Sequence, residues 1–384
     1  MKICMICKDI VHQPISGDSQ HIYNLALRLS KNYDVVLIGN GGMIRETKVW
    51  NFVKSLKIIE VPDYPSLIGG GIAYFLFKQP LLDYFVSKFA KYNINLKKIF
   101  ETEAKDADVI VSESCWYFPL INSLSFLNEK VLVYDARNVE YLLKDKIYTG
   151  IFRKELLPYI KKIEKGLIDK ADIVFAVSED EKKEFTKLYG ANPEKIVVCP
   201  PAIEIPETIE RSEVIPNTAV FMGSAYFANF EAVEYIINTL AKELPEVEFR
   251  IVGSVCSRFK GTHKNVKLHG FVPENKKKEI LSTSAVGICP VFHGAGVNVK
   301  ILEYFAYGLP VITTPAGARG FEEPERIMVI ADKKDFANSL RNLLERKDMQ
   351  RKLGAAGREY VRTKRSWENV ENIWLTALKN PGNT

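Results

Sequence analysis

The sequence predicts an α/β protein with two Rossmann-like domains that face each other across a cleft. Its 384 residues are too many for one typical core and suit two domains. The first 40 residues alternate between strand and helix patterns, and a second alternating series follows the proline-rich stretch at 200–217. Such alternation indicates parallel sheets covered by helices.

The N-terminal residues predict a βαβ unit, with a strand at 3–7, a helix and a strand at 35–38. The loop before the helix ends at Gly17, and Asp18 and Ser19 offer N-cap chemistry. Free N–H groups at this helix start can receive an anion. An ordinary tight turn would use the same glycine, so both interpretations stay open.

The remaining elements follow in two series separated by a linker. The stretch 200–217 has four prolines and no periodicity, which is typical of a linker. Apolar runs predict the strands of the first series at 109–112, 131–134 and 173–177, and those of the second at 219–222, 248–252, 266–268, 286–289 and 311–313. Helical periodicity predicts a helix at about 231–240 and a final helix from Trp367.

The stretch from Gly294 to Phe321 places two charges in an otherwise apolar helix that ends near Gly308. Lys300 and Glu303 are three residues apart, so they share one helix face. Burial of an ammonium and a carboxylate is costly unless each is paired. Either the two side chains neutralise each other, or a ligand with phosphates and hydroxyls completes their partnership.

Residues 303–314, EYFAYGLPVITT, resemble the signature of the retaining glycosyltransferases of family 4, which have the two-domain GT-B fold. The resemblance implies that Glu303 holds the ribose hydroxyls of a nucleotide-sugar donor and that Lys300 contacts its diphosphate, so these two are the expected catalytic residues. It also implies a diphosphate contact at Gly17. Further expected donor-binding positions are Ser224, Phe271, His293, Gly294, Ala295 and Gly296.

The resemblance also sets the expected domains. It implies that the final helix crosses back onto the N-terminal domain. We therefore expect an N-terminal, acceptor-side domain at 1–205 together with the crossover helix at about 366–384. The C-terminal domain, at 206–365, is expected to bind the nucleotide-sugar.

The sequence departs from the family pattern at three places. Ala295 stands where many members have a second glutamate that binds the donor sugar, and His293 comes into register only if one residue is inserted. Residues 222–229 replace the usual arginine and lysine that grip the diphosphate. A third motif usually carries a histidine where this chain has Arg137, so acceptor-side or sugar-side roles for Asp135, Arg137 and Asn138 compete with a surface arginine at a strand end.

Together these features predict transfer of a sugar from a nucleotide-sugar to a glycan or lipid-linked acceptor, in cell-surface glycan or glycoconjugate synthesis. In the family's usual account the donor phosphate helps to deprotonate the acceptor, so neither a metal nor another cofactor is expected. Lys300, the Gly17 loop and the amides of 294–296 are the groups that can stabilise the leaving diphosphate. Two alternatives are a GT-B sugar-nucleotide epimerase and a non-catalytic nucleotide-binding subunit.

Composition excludes several other classes. The net charge of +6 is mild and the basic residues are interleaved with acids, so nucleic acid is not an expected partner. No apolar run is long enough to span a bilayer, and the N-terminus lacks a secretory signal. The six scattered cysteines read as reduced core residues, including the Cys4 and Cys7 pair in the first strand. We therefore expect a cytoplasmic protein.

Segment 68–92 combines large apolar side chains with Lys78, Lys88 and Lys91. A helix interrupted near Pro80 would fit this pattern. It could lie on the anionic inner face of a membrane and meet a lipid-linked acceptor. The alternative is an acceptor-side lid packed on its own domain, which is the commoner fate of aromatic stripes.

Overall fold

The computed structural model describes residues 1–9, 11–12, 17–209, 211, 213–260, 263–293 and 296–379. The chain divides into two compact units. The first contains residues 1–200 and the C-terminal residues from 371, and the second contains residues 201–370.

The first unit is a doubly wound α/β sheet of eight strands in the order β3-β4-β2-β1-β5-β6-β7-β8. The strands are β1 (Lys2–Ile6), β2 (Asp34–Asn40), β3 (Lys48–Val53), β4 (Leu56–Val61), β5 (Val109–Ser112), β6 (Val131–Asp135), β7 (Ile173–Ala176) and β8 (Ile196–Val198). All neighbouring pairs are parallel except β3 and β4, which form an antiparallel hairpin. The central strands are continuous apolar runs because helices cover both faces of the sheet.

The helices of this unit connect successive strands. They are α1 (Gly17–Leu29), α2 (Tyr64–Phe77), α3 (Leu82–Phe89), α4 (Ile94–Lys105), α5 (Phe118–Ile121), α6 (Glu140–Ile147), α7 (Gly150–Lys170) and α8 (Glu179–Tyr189). The predicted interruption near Pro80 is present, since α2 ends at Phe77 and α3 begins at Leu82. One prediction was wrong in detail: α1 already includes Asp18 and Ser19, so these residues lie in its first turn and do not cap it.

The second unit has a six-stranded sheet in the order β11-β10-β9-β12-β13-β14, and every neighbouring pair is parallel. Its strands are β9 (Ile215–Met222), β10 (Glu248–Val252), β11 (Val266–Gly270), β12 (Ser284–Cys289), β13 (Val311–Thr313) and β14 (Val329–Ile330). Its helices are α9 (Phe227–Tyr235), α10 (Ala241–Glu243), α11 (Glu274–Thr283), α12 (Val299–Ala306), α13 (Phe336–Glu345) and α14 (Lys347–Lys364). A π-helical turn at Ile236–Leu240 joins α9 to α10.

The C-terminal helix α15 (Trp367–Lys379) begins at the end of the second unit and contributes its later residues to the first. There the ring of Trp374, which is fully buried, packs against that of Phe175 with 4.2 Å between the centroids. The aromatic contact anchors the helix to β7 through burial of two large apolar side chains. The crossover of the final helix onto the N-terminal unit is therefore confirmed.

The two sheets share one topological feature. In the second unit, in chain order, the strands lie third, second, first, fourth, fifth and sixth across the sheet. The core of the first sheet has the same arrangement once the hairpin partner β3 and the edge strand β8 are set aside. The order reverses between the first and fourth strands, and ligands of such sheets bind beside the carboxyl ends of these strands.

Candidate functional site

In the second unit the reversal of strand order lies between β9 and β12. β9 ends at Met222 and is followed by Gly223 and Ser224, while β12 ends at Cys289 and leads through a loop to α12. The predicted residue His293 lies in this loop and is exposed. Gly294 and Ala295 fall outside the described residues, so their predicted roles have no structural outcome.

Helix α12 is held firmly against the sheet by its apolar face. Ile301, Leu302 and Phe305 are fully buried in the core of the unit. Tyr304 is buried too, and its hydroxyl accepts a hydrogen bond from the backbone N–H of Met222 at 2.8 Å. This packing leaves Lys300 and Glu303 on the partly exposed side of the helix.

Lys300 points at a neutral amide. Its Nζ donates a hydrogen bond to Oδ1 of Asn229 at 2.5 Å and lies 4.4 Å from the ring centroid of Phe221. Burial lowers the pKa of Lys300, opposed by the nearby Cys289 thiol. No carboxylate forms an ion pair with this ammonium among the residues that the structure describes.

Glu303 pairs with a different lysine. Its Oε2 lies 3.0 Å from Nζ of Lys277 on α11, and both side chains are about one quarter exposed. Burial alone would lower the pKa of Lys277, but Glu303 and Glu274 outweigh it and raise the pKa. The interpretation in which Lys300 and Glu303 neutralise each other is therefore wrong, because each has a different partner.

The amide of Asn229 extends the Lys300 contact to the predicted residue Ser224. Its Nδ2 donates to the backbone oxygen of Ser224 at 3.0 Å, while the Ser224 side chain is exposed. Asn229 itself is buried on α9. These hydrogen bonds therefore connect the carboxyl end of β9 to α12 through the buried amide of Asn229. The sequence did not predict this connection, because Asn229 and Lys300 are 71 residues apart.

Two glycines bring neighbouring strand ends close together at this edge. Gly253, which follows β10, has φ of 107°, and a Cβ there would lie 2.3 Å from the backbone oxygen of Gly223. Nearby, the backbone N–H of Ala225 donates to Oγ of Ser254 at 2.9 Å. The sequence contains a signal for this close approach of the strand ends, because β9 and β10 are both followed by Gly-Ser.

The other predicted donor-side residues in this unit lie in loops at the same edge of the sheet. Phe271 follows β11 after Gly270 and is 78% exposed. Gly296 has φ of 72°, which a residue with a side chain rarely adopts. Loops with exposed side chains and left-handed glycines are suited to close contact with a ligand.

In the first unit the reversal lies between β1 and β5. The predicted residue Gly17 opens α1, is exposed, and a Cβ placed there would meet no atom within 4 Å. Among the described residues, none therefore requires glycine at this position. Space beside the helix start is compatible with an anion, but the two interpretations of the loop stay open.

Arg137 lies beside two buried carboxylates and is not a surface residue. Its Nη2 donates to Oε2 of Glu113 at 2.7 Å and to Oδ2 of Asp135 at 2.8 Å. Burial and the neighbouring Asp135 raise the pKa of Glu113 to about 8, against the effect of Arg137. The surface interpretation of Arg137 is wrong, and its guanidinium is committed to carboxylates at the ends of β5 and β6. Asn138 lies beside it and is half-buried.

A second ion cluster at this edge was missed by sequence reasoning. Asp83 on α3 accepts from Nζ of Lys8 at 2.6 Å and from Nζ of Lys144 at 2.5 Å. Burial opposes ionisation of Asp83, but Lys144 and Lys8 hold its pKa well below the usual range. The neighbouring Glu140 is buried, and its Oε2 has no hydrogen-bond partner among the residues whose positions the structure describes. Burial raises the pKa of Glu140. Three separate elements bring these charges together, so no local pattern predicts them.

At these edges of the two sheets, the described residues form neither a cluster of metal ligands nor a reactive thiol. In the described parts of the chain, no group of three or more histidines, cysteines or carboxylates is placed to hold a metal ion. All six cysteines are unpaired and buried, and burial raises the pKa of Cys4 and Cys7. Buried thiols with raised pKa values are poor nucleophiles and poor metal ligands.

Two family models match the chain, one for each unit. Residues 15–206 match the model described as Glycosyltransferase Family 4, which by itself spans half of the chain. Residues 216–346 match the model described as Glycosyl transferases group 1. Among curated proteins, none matches the sequence.

The chain is similar to several solved structures over almost its whole length. A sucrose-phosphate synthase from Thermosynechococcus elongatus has 16% identity and a TM-score of 0.75, with 98% of each chain covered. The Anabaena protein HepE, solved with UDP-glucose, has 14% identity and a TM-score of 0.68, with 99% of this chain and 100% of its own covered. WaaG, described as a glycosyltransferase involved in lipopolysaccharide biosynthesis, has 18% identity and a TM-score of 0.63, with 96% and 98% covered. At these identities the similarity establishes the GT-B fold.

Proposed function

Because the chain belongs to the group 1 glycosyltransferases of family 4, we propose that it transfers a sugar from a nucleotide-sugar donor to a glycan or lipid-linked acceptor, with retention of the anomeric configuration. Lys300 and Glu303 are the proposed catalytic residues. The proposed setting is the synthesis of cell-surface glycans or glycoconjugates in the cytoplasm, and the reduced, buried cysteines support that compartment.

The contact between Lys300 and Asn229 carries this proposal. The Lys300 ammonium lies beside a neutral amide and has lost part of its hydration, and no carboxylate in the described part of the chain is its partner. It therefore remains attractive to an anion, and charge-assisted hydrogen bonds to phosphate are among the strongest in proteins. Lys300 lies beside the reversal of strand order between β9 and β12, and sheets with this strand order bind nucleotides at such a reversal.

In the proposed reaction the bond between the anomeric carbon and the donor diphosphate breaks, and the acceptor hydroxyl oxygen bonds to the same face of that carbon. The proton of the acceptor hydroxyl passes to an oxygen of the departing phosphate. Negative charge develops on the diphosphate as positive charge develops on the sugar ring. Lys300 and the loop amides stabilise the diphosphate, so no protein base, metal or cofactor is required.

The remaining donor contacts follow from the positions around α12. We assign the ribose hydroxyls to Glu303, which would exchange Lys277 for them. Ser224, Phe271, His293 and Gly296 are assigned to the donor as well, together with Gly294, Ala295 and, from the first unit, Gly17. UDP-glucose is the first donor to test, because HepE was solved with it.

The acceptor side is assigned to the first unit. Asp135, Arg137 and Asn138 follow β6 beside the reversal between β1 and β5, where a polar molecule would meet several charged groups. The protonation states of Glu113 and Asp135 would then set the charge that the acceptor meets. A lipid-linked acceptor requires in addition that segment 68–92 reach a membrane surface.

A coupled assay tests the proposal. The protein is incubated with UDP-glucose and other nucleotide-glucose donors, with and without mixed glycan acceptors, and nucleotide release is measured. We expect release only when an acceptor is present, and NMR of the product should show the anomeric configuration of the donor. Lys278→Ala, an exposed lysine of α11 in the same unit, is the matched control for Lys300→Ala.

Two outcomes would favour the alternatives. Interconversion of donor sugars without acceptor would indicate an epimerase. Tight nucleotide binding, seen as a rise in thermal stability, without turnover of any donor would indicate a non-catalytic subunit.

A further inference from the structure

Helix α2 buries its small residues and exposes its large ones. Its buried positions are Ser66, Gly70 and Ala73, which recur along one face. This face packs on α3 so closely that a Cβ at Gly70 would lie 3.0 Å from the Cα of Leu82. Stripes of small residues that bring two helix backbones together are typical of helix contacts in membranes.

The opposite face of α2 is a stripe of exposed large apolar side chains. Ile68, Ile72, Phe75 and Leu76 recur at helical spacing and are between 55% and 74% exposed. A helix on the surface of a water-soluble protein usually shows the reverse pattern, since apolar area exposed to water is unfavourable. A continuous exposed apolar patch of this kind marks an interaction surface. These side chains are not covered by their own unit, so the lid interpretation of this segment does not describe them.

The exposed and partly exposed charges of segment 63–92 have one sign. Asp63 and Asp83 are the acidic residues of segment 63–92, and both are buried. Lys78 caps the C-terminus of α2 with its side chain exposed, and its Nζ lies 5.5 Å from the ring centroid of Phe75. Apolar side chains next to exposed lysines are complementary to a lipid bilayer with an apolar interior and anionic headgroups.

We propose that the exposed face of α2 (Tyr64–Phe77) docks on an anionic lipid bilayer, with Ile68, Ile72, Phe75 and Leu76 entering the acyl boundary and Lys78 at the headgroups. With 14 residues and about 1.5 Å of rise per residue, the helix is about 21 Å long, shorter than the roughly 30 Å hydrocarbon core. It therefore lies in the interface. Within the described parts of the chain, no helix is both long and apolar enough to cross a membrane.

The docked helix is connected to the polar edge of the sheet through its partner α3. Asp83, one residue into α3, receives hydrogen bonds from Lys8, which follows β1, and from Lys144 on α6. A bilayer on the exposed face of α2 would therefore be connected, through α2 and α3, to the charged cluster at the carboxyl ends of the strands. Resting on the proposed function, this makes the acceptor a lipid-anchored molecule whose polar head reaches that cluster.

Vesicle flotation tests the proposal. The full chain is mixed with vesicles of phosphatidylcholine and phosphatidylglycerol, or of phosphatidylcholine alone. We expect the wild type to float with the anionic vesicles and less with the neutral ones. Ile72→Ser/Phe75→Ser should lower the bound fraction at least about tenfold, since each buried side chain contributes substantially to partitioning. The matched control Val49→Ser/Val53→Ser removes two exposed apolar side chains from β3 and should float like the wild type.

Several results would overturn the proposal. They are no flotation of the wild type, equal recovery with both vesicle types, or equal flotation of the wild type and the α2 variant. A doubled mass in size exclusion that the α2 variant abolishes would identify a second copy of the chain as the occupant instead. UDP binding, measured by thermal shift on the same samples, should be equal in all variants, so a failure here is distinguishable from a failure of the proposed function.

Discussion

Replacement of Lys300 by methionine should separate activity from stability. The ammonium donates to Oδ1 of Asn229 at 2.5 Å and lies over the ring of Phe221, without a carboxylate partner among the described residues. Methionine keeps most of the apolar stem and removes the charge. The lost group is the proposed stabiliser of the leaving diphosphate, so the rate of transfer should fall while the fold remains.

The expected effects of Lys300→Met on turnover and on folding stability have opposite signs and different sizes. Loss of one group that stabilises developing negative charge costs about 2 to 4 kcal/mol of transition-state stabilisation. At about 1.4 kcal/mol per factor of ten, turnover should fall about 30- to 1,000-fold. For folding, the variant loses one hydrogen bond and one cation–π contact, each of about 1 kcal/mol, but it no longer holds a partly dehydrated ammonium, and the removal of that charge offsets the loss. We therefore expect a melting temperature equal to or above that of the wild type.

The pH dependence of stability gives a second readout. Because burial lowers the pKa of Lys300 in the folded state, the unfolded chain binds more protons between that lowered value and the ordinary 10.5. The free energy of unfolding of the wild type therefore gains a contribution as pH rises through this window. Lys300→Met should lack that contribution.

The assay compares acceptor-dependent nucleotide release and melting curves for the wild type, Lys300→Met and the control Lys278→Met. Near-normal turnover in Lys300→Met would refute the assignment of this lysine to the diphosphate. A large fall in melting temperature together with lost activity would show instead that Lys300 acts through the fold.

Three other changes test separate parts of the structure. Asn229→Asp gives Lys300 a carboxylate partner, so UDP affinity by calorimetry should fall at least about tenfold, and unchanged affinity would contradict the anion site. Since the pKa of Glu113 rises from its ordinary 4.5 to about 8 on folding, the folded state binds more protons in that window and the free energy of unfolding should fall as pH rises across it. Glu113→Gln should flatten this slope in urea titrations, and an unchanged slope would count against the assigned pKa. Gly253→Ala places a Cβ 2.3 Å from the backbone oxygen of Gly223 at a φ of 107°, so it should destabilise the protein by more than about 1 kcal/mol, and an unchanged melting temperature would show that the strand ends can separate.

Much of the fold could be predicted because the buried strands appear in the sequence as continuous apolar runs. The runs at 109–112, 248–252 and 311–313 coincide with β5, β10 and β13. The hairpin of β3 and β4 was missed because polar residues interrupt both apolar runs, Asn51 in β3 and Lys57 and Glu60 in β4. β3 is an exposed edge strand, and an edge strand need not show the continuous apolar run of a strand that is buried on both faces.

The site shows the same division between local and long-range information. Lys300 and Glu303 were predicted because three-residue spacing on a helix is a local property. Their partners were not, because Asn229 lies 71 residues from Lys300 and on another helix, and the sheet topology decides which side chains meet. Arg137 was placed at a strand end correctly, but its commitment to Glu113 required knowledge that β5 and β6 are neighbours.

The most direct measurement is a crystal structure of the protein with a nucleoside diphosphate or a non-transferable nucleotide-sugar. We expect Nζ of Lys300 to leave Asn229 and lie within hydrogen-bonding distance of a phosphate oxygen, with the carboxylate of Glu303 on the ribose hydroxyls. A nucleotide bound elsewhere, with Lys300 still on Asn229 and Glu303 still on Lys277, would contradict the account.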